Sequence, residues 1–322
     1  MTAHAHERPF RILSLAGGGY LGLYTACVLA ELEEMAGEPL GRRYDLIAGT
    51  SVGGLLAIAL AFEMPMALLR DLFIQRGTEI FSGRGLATST VGKLRDLTRS
   101  VLGPKYDGEA LRHVLVENLG RATLADALHP VVIPATNITL SQTKIFKTPH
   151  SARSRGDEKR HAVSVALATS AAPAYFPAVR IGRYLYADGG MFAVAPDQVA
   201  MHEAEHFMDV PLWRMRMLSI GTGTARYAPS GKTSERDGAV DWLSEGRLVL
   251  TLIAVQQQHA QAMVEDRLGG RYLHLDGEWP REAGLGIDVA TPGAVTTLTR
   301  MAKDTMRKVD RTRLMDGFVS KA

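Results

Sequence analysis

The chain has 322 residues, 46% hydrophobic and 22% charged, an ordinary globular composition that excludes a disordered or fibrous protein. Its single cysteine, Cys27, excludes an internal disulfide and fits a reducing compartment, and no apolar run reaches the length of a membrane-spanning helix. A formal net charge of +3 favours anionic partners without choosing between a lipid surface, a nucleotide and a nucleic acid. The opening MTAHAHERPF has no signal-peptide core, so a cytoplasmic location is expected.

FRILSL (residues 10–15) is a short apolar run ending in glycines, the pattern of a buried parallel strand. Leu21, Tyr24, Val28, Leu32 and Met35 then recur at helical spacing. YDLIAGT reads as a second strand and passes through SVGG into the apolar helix LLAIALAFEM. Two strand-turn-helix units in succession predict a parallel sheet covered by helices. After Pro65, MALLRDLFIQRG predicts another helix. Residues 77–107, rich in Gly, Ser and Thr, are expected to form a helical or loop cap. Within them Val91, Leu94, Leu97 and Val101 run beside Lys93, Arg95 and Arg99, a stripe that suits either core packing or an anionic membrane.

ALRHVLVENLG predicts a helix, HPVVIPATNI and KIFKTP predict strands, and AVSVALATSAAPAYFP predicts a helix running into a proline-marked turn. The loop SARSRGDEKRH, with Arg153, Arg155, Lys159 and Arg160, reads as a solvated surface or as a site for an anionic ligand. YLYADGG and MRMLSIGTG each read as a strand ending in a glycine turn. The tail holds two long helical patterns, LVLTLIAVQQQHAQAMVEDRLG and PGAVTTLTRMAKDTMRKVDRTRLM, within about 240–320. No repeat or linker interrupts the chain, so residues 1–322 are expected to form one domain.

Gly17, Gly19 and Gly22 in AGGGYLG satisfy G-x-G-x-x-G, the fingerprint of a dinucleotide pyrophosphate loop. That reading asks for an acidic residue at the end of the second strand. Instead the strand ends in Gly49-Thr50-Ser51-Val52-Gly53, with Asp45 at its start. This G-x-S-x-G lies between an apolar strand and an apolar helix, where its glycines permit a sharp turn and Ser51 takes the position of a nucleophile. The plain alternative is a helix N-cap serine. Asp188, in YADGG, ends another predicted strand on the edge where Ser51 sits if both strands run parallel. It reads as the base that a serine nucleophile needs, against the plain reading of a turn aspartate. The glycine loop then reads as an oxyanion hole, in which the backbone amides of Gly17, Gly18, Gly19 and Tyr20 face the negative oxygen formed in ester hydrolysis. Gly22, Gly49, Gly53 and Gly189 serve as elbow and turn glycines.

A Ser-His-Asp triad is the nearest rival. Of the histidines after Asp188, His202 and His206 share a helical spacing, His259 sits among glutamines and His274 lies in a strand-like run. None is singled out by its placement, and no metal site is expected.

With the AGGGYLG loop, the Gly49–Gly53 elbow and Asp188-Gly189 in this order, together with LATSAAPAYFP and ADGG, the chain resembles the patatin-like phospholipases over roughly residues 10–225. The resemblance implies a three-layer α/β fold with a central, mostly parallel sheet. It also implies a phospholipase of the A type working through a Ser51–Asp188 dyad, with no catalytic histidine and no cofactor. Two departures stand out: Ala16 and Leu21 replace the aspartate and arginine that commonly flank the glycine triplet, and Val194 and Ala195 replace a frequent asparagine pair.

Over nearly the whole chain, VVIPATNITLSQTKIFKTPH, ALATSAAPAYFP and LVLTLIAVQQQHAQAMVEDRL are similar to the cyclic-dinucleotide-activated effectors (CapV type) of bacterial CBASS antiphage defence. That likeness implies an activator such as 3′,3′-cyclic GMP-AMP (3′,3′-cGAMP) made by a cognate nucleotidyltransferase. It further implies a phospholipid substrate at the inner-membrane surface, a homo-oligomer, and no DNA or RNA partner; no residue is assigned to the activator. A constitutive lysophospholipase or acyl hydrolase stays open beside it. So does a nucleotide-binding protein with an inactive esterase site, because Leu21 stands where an arginine is usual.

Overall fold

Every residue of FRILSL is buried in β1 (Phe10–Leu15), as a strand covered on both faces requires. This computed structural model describes residues 8–83, 103–228, 234–238, 241–242, 247–280 and 284–320. β1 lies between β2 (Leu46–Gly49) and β7 (Met215–Ile220), parallel to both, and β8 (Tyr272–Leu275) extends the parallel set beyond β7. On the other side β2 pairs in parallel with the start of β3 (Val131–Asn137). The antiparallel members are β4 (Gln142–Lys147) and β6 (Tyr184–Asp188) on β3, and β5 (Val179–Ile181) on β6.

Successive strand residues face opposite layers. Leu13, Leu15 and Ile47 pack with Tyr24, Leu29 and Leu56, whereas Ile12, Leu46, Ala48 and Val132 pack with Ala200, Met201, Val264 and Leu268. The first layer contains α1 (Gly22–Ala36), α2 (Val52–Ala61), α3 (Met66–Ile80), α4 (Glu109–Leu119), α5 (Ala162–Thr169) and α8 (Pro292–Lys308). The second contains α6 (Asp197–His202) and the carboxyl half of α7 (Arg247–Leu268). Leu250 and Ile253 of α7 belong to the first cluster and Val264 and Leu268 to the second, so the middle of this helix passes between the layers. Among the described residues no helix is long and apolar enough to cross a membrane.

The strand carrying Asp188 departs from the parallel arrangement considered above, because β6 is antiparallel to β3. Ile47 and Ala48 of β2 sit opposite Val131 and Val132, while Asp188 sits opposite Ala135. β4 occupies the other edge of β3, pairing from Val132 to Asn137. β2 and β6 therefore share one edge of β3 and run toward each other, carboxyl end to carboxyl end. Pro134, which has no N–H to give a ladder, lies in the gap.

Two smaller differences remain. β5 has three residues, too few for a periodic signal. The last helical pattern is interrupted, since Val309 adopts an extended backbone and Asp310 caps a separate turn, α9 (Arg311–Leu314), by accepting the Arg313 N–H. Of the expected cap, residues 84–102, including the stripe from Val91 to Val101, lie outside the described residues.

Candidate active site

The turn from β2 into α2 is closed by contacts that leave no room for side chains at its glycines. A Cβ on Gly53 would stand 2.3 Å from the Leu15 carbonyl oxygen, and one on Gly49 would stand 2.1 Å from the Gly53 oxygen. Ser51, between them, has φ 56 and ψ −127, a backbone conformation that costs an ordinary residue of order 1–3 kcal/mol and persists only where its surroundings fix it. Here the Ser51 N–H donates to Thr169 Oγ1 at 3.0 Å, and the same hydroxyl donates to the Pro134 carbonyl at 2.6 Å. Thr50 Oγ1 donates to the Ala193 carbonyl at 2.7 Å. The Ser51 side chain makes no capping bond to α2, which removes the N-cap reading. It donates instead to Asp188 Oδ2 at 2.7 Å.

Asp188 is buried, and it is held from three sides. Its N–H donates to the Ala171 carbonyl at 3.0 Å, its carbonyl accepts Thr136 Oγ1 at 3.0 Å, and its Oδ1 accepts the Gly190 N–H at 2.6 Å. Thr169 and Ala171, at the carboxyl end of α5, thus position both halves of the Ser51–Asp188 pair. Burial pushes the Asp188 carboxyl up to about 6, opposed by the hydrogen bonds from Ser51 and Gly190. Such a group is ionised at neutral pH and basic enough to take a hydroxyl proton in a reaction.

The glycine loop lies against this pair, since a Cβ on Gly17 would be 3.1 Å from Ser51 Cβ. Its four amides, all expected to face the oxyanion, are not equivalent, because two of them are already engaged. The Gly17 N–H donates to the Val194 carbonyl at 2.9 Å and the Tyr20 N–H to the Ile287 carbonyl at 2.7 Å. Gly18 and Gly19 have no acceptor for their N–H groups among the described residues. Gly19 is irreplaceable on two counts: its φ is +59, and a Cβ there would meet the Ile287 oxygen at 2.1 Å. Leu21 is fully buried, so at this position the loop offers only backbone. Gly22 opens α1 against Val52, and Gly189 lies against the Pro134 carbonyl.

Among the described residues the hydrogen-bond partners of the Asp188 carboxylate are Ser51 and Gly190, and no histidine joins them. His274 Nδ1 lies 3.1 Å from Ser219 Oγ, and His202 and His206 stack on each other with centroids 5.2 Å apart. Residues His202-Glu203-Ala204-Glu205-His206 do spell H-E-x-x-H. Glu203 is nevertheless turned inward, its carboxylate bonded by Lys147, His150 and Ser154, and among the described residues no three metal-ligating groups converge. Arg153, Arg155, Lys159 and Arg160 are all exposed, Arg153 pairing with Asp209 at 2.6 Å. A cleft of about 420 Å³ between β8 and α8 is lined by Asp276, Glu278, Asp304 and Asp310 as well as Lys308 and Arg313, a mixed set that assigns no anion.

Two residues gave no chemical signal in the sequence. Thr169 stands inside LATSAAPAYFP as an ordinary helix-end threonine, and Gln256 is one of three consecutive glutamines in α7. Gln256 Nε2 donates to the Gly190 carbonyl at 3.1 Å, and its Oε1 accepts the Val194 N–H at 3.1 Å.

The pattern of the patatin-like phospholipase family matches residues 13–201. A Pseudomonas aeruginosa protein named cGAMP-activated phospholipase is 37% identical to the chain, covering 90% of it and 85% of the relative. Proteins of the same name from Vibrio cholerae and Escherichia coli are 32% and 31% identical, covering 89% and 97% of the chain and 88% and 93% of the relatives. With the family pattern running from β1 through Asp188 into α6, and relatives aligned along nearly the whole length, the chain belongs to the patatin-like phospholipase family.

Proposed function

We propose that Ser51 and Asp188 are the catalytic dyad of a phospholipase that cleaves fatty-acyl esters of membrane glycerophospholipids and is switched on by a cyclic dinucleotide. The chemical half rests on one observation, the 2.7 Å hydrogen bond from Ser51 Oγ to Asp188 Oδ2 at a strained elbow beside the open Gly18 and Gly19 amides. Asp188 takes the hydroxyl proton as Ser51 Oγ attacks the ester carbonyl, and the Gly18 and Gly19 amides hold the oxyanion. The tetrahedral intermediate collapses, the proton passes from Asp188 to the departing lysophospholipid oxygen, and the acyl group stays on Ser51. Water then attacks the acyl-enzyme with Asp188 again as base, releasing the fatty acid and returning the proton to Ser51.

The regulatory half rests on the relatives named cGAMP-activated phospholipase, which align along 89–97% of the chain. In this reading a cognate nucleotidyltransferase supplies 3′,3′-cGAMP or a close analogue. The protein works in the cytoplasm as a homo-oligomer that meets the inner membrane peripherally when active. The test is fatty-acid release from phospholipid vesicles by purified protein, with and without a panel of cyclic dinucleotides and with Ser51→Ala as control. Release with one nucleotide and none with Ser51→Ala is the expected result. Equal release without nucleotide makes the protein a constitutive lipase, and full activity in Ser51→Ala removes the dyad.

A further inference from the structure

The loop from Gly189 to Ala195 (GGMFAVA) has no polar side chain, yet it joins the two halves of the candidate site. Its Gly190 N–H donates to Asp188 Oδ1 at 2.6 Å, and its Val194 carbonyl accepts the Gly17 N–H at 2.9 Å, one peptide before the open Gly18 amide. Whatever fixes this loop therefore fixes the carboxylate relative to Ser51 and the glycine amides relative to both. Gly189 and Gly190 supply no stiffness of their own, because a glycine backbone has more freedom to lose than any other. The Gly189 carbonyl accepts the Phe192 and Ala193 N–H groups and Thr50 Oγ1 holds the Ala193 carbonyl, but neither device holds the Gly190 carbonyl or the Val194 N–H, which flank the two contacts with the site.

We propose that Gln256 of α7 is the positioning residue for this site, a reading that rests on the Ser51–Asp188 dyad. Its carboxamide takes two backbone groups of the loop at once, donating from Nε2 to the Gly190 carbonyl and accepting the Val194 N–H at Oε1, each at 3.1 Å. A side-chain amide carries an uncharged donor and acceptor side by side in one plane, and the two loop groups facing it are one C=O and one N–H, which also settles which end of the amide is oxygen. Gly190 is gripped at both ends as a result, its N–H by Asp188 and its C=O by Gln256. The next residue of the helix, Gln257, accepts Thr224 Oγ1 at 2.8 Å, so α7 braces the exit of β7 on the other side of the glycine loop as well. Among the described residues Gln256 makes no hydrogen bond to Ser51 or Asp188, and it acts through the loop. Its removal therefore misplaces reacting groups without removing any, and misplacement of about 1 Å costs roughly a hundredfold in rate.

The experiment compares wild type with Gln256→Met, which keeps the length and removes both bonds, and Gln256→Glu, which keeps the acceptor and loses the donor. Hydrolysis of soluble p-nitrophenyl butyrate is measured with 3′,3′-cGAMP present and absent, together with the rate of Ser51 labelling by a fluorophosphonate and the melting temperature. Ser51→Ala runs in parallel. The expected result for Gln256→Met is a fall of roughly ten- to a hundredfold in kcat and in labelling rate, with KM within about twofold and most of the melting temperature kept; Gln256→Glu falls between it and wild type. An unchanged kcat, or a loss matched by loss of folded protein or carried by KM, overturns the proposal. If Ser51→Ala is dead while Gln256→Met is unaffected, the brace alone fails; if Ser51→Ala stays active, the dyad itself is wrong.

Discussion

Asp188, the proposed base, carries two opposed demands, since the burial that raises its basicity also makes its charge costly. With its carboxyl pushed up to about 6, kcat/KM is expected to fall on the acid side with an apparent pKa near that value. The same shift is a statement about stability. Below about pH 4 the folded and unfolded chains both hold the proton. As pH rises from about 4 to 6 the unfolded chain releases it first, so the folded state binds more protons and loses stability, by roughly 3 kcal/mol once pH exceeds 6. Asp188→Asn should therefore lose activity by at least about a thousandfold. It should also gain roughly 1–3 kcal/mol in urea denaturation at pH 7.5, a gain that vanishes near pH 4. A less stable Asp188→Asn at neutral pH would mean that burial is not what shifts the carboxyl. Ser51 and Asp188 are both legible in the sequence because each ends an apolar run at a glycine turn. The unequal glycine amides are not legible, since the acceptors that engage Gly17 and Tyr20 are backbone carbonyls of Val194 and Ile287, and backbone atoms leave no pattern.

At the scale of elements, periodicity identifies strands but says nothing of their direction. FRILSL and MRMLSI were legible as strands down to their ends, because both are apolar and bounded by glycine or a change of polarity. The antiparallel course of β6 was not, and it is this course that brings two strand ends together over Pro134. The convergence depends on α5, whose Thr169 hydroxyl links the Ser51 amide to the Pro134 carbonyl in the gap between the strands. Thr169→Val keeps the shape and removes both bonds, leaving the buried Pro134 C=O and the part-buried Ser51 N–H without that partner, at about 1–3 kcal/mol for the buried carbonyl and less for the amide. The expected outcome is a lower melting temperature and a drop in kcat of about tenfold or more, with Thr169→Ser restoring both. Rescue by Ser but not by Val identifies the hydroxyl; equal behaviour of the two assigns Thr169 to packing alone.

On the scale of the whole molecule, the glycine loop is held by a segment from the far end of the chain. Ile287 accepts the Tyr20 N–H at 2.7 Å, and its neighbour Asp288 ties that segment to both flanks of the cap region. The Asp288 carbonyl accepts the Ser82 N–H at 3.1 Å, while its buried carboxylate accepts Tyr106 Oη at 2.8 Å and pairs with Lys105. Tyr20 adds apolar contact, its ring 5.7 Å from that of Phe81, which in turn meets Tyr106 and Phe176. Five stretches distant in sequence thus meet beside the open amides, so the tail beyond residue 225 shapes the candidate site although it lies outside the family pattern. Asp288→Ala removes the anchor of this junction and leaves Lys105 and the Tyr106 hydroxyl without their carboxylate. The expected cost is about 1–3 kcal/mol in global stability. The diagnostic measurement is amide hydrogen exchange in a peptide covering Gly17 to Leu21. Faster exchange there under conditions where β1 stays protected means that the Ile287 carbonyl has moved off the Tyr20 amide, and kcat should fall with it. Unchanged exchange with reduced stability would instead make Asp288 a clasp for Ser82 and Tyr106 alone, leaving the glycine loop to be fixed by Val194 and the α7 glutamines.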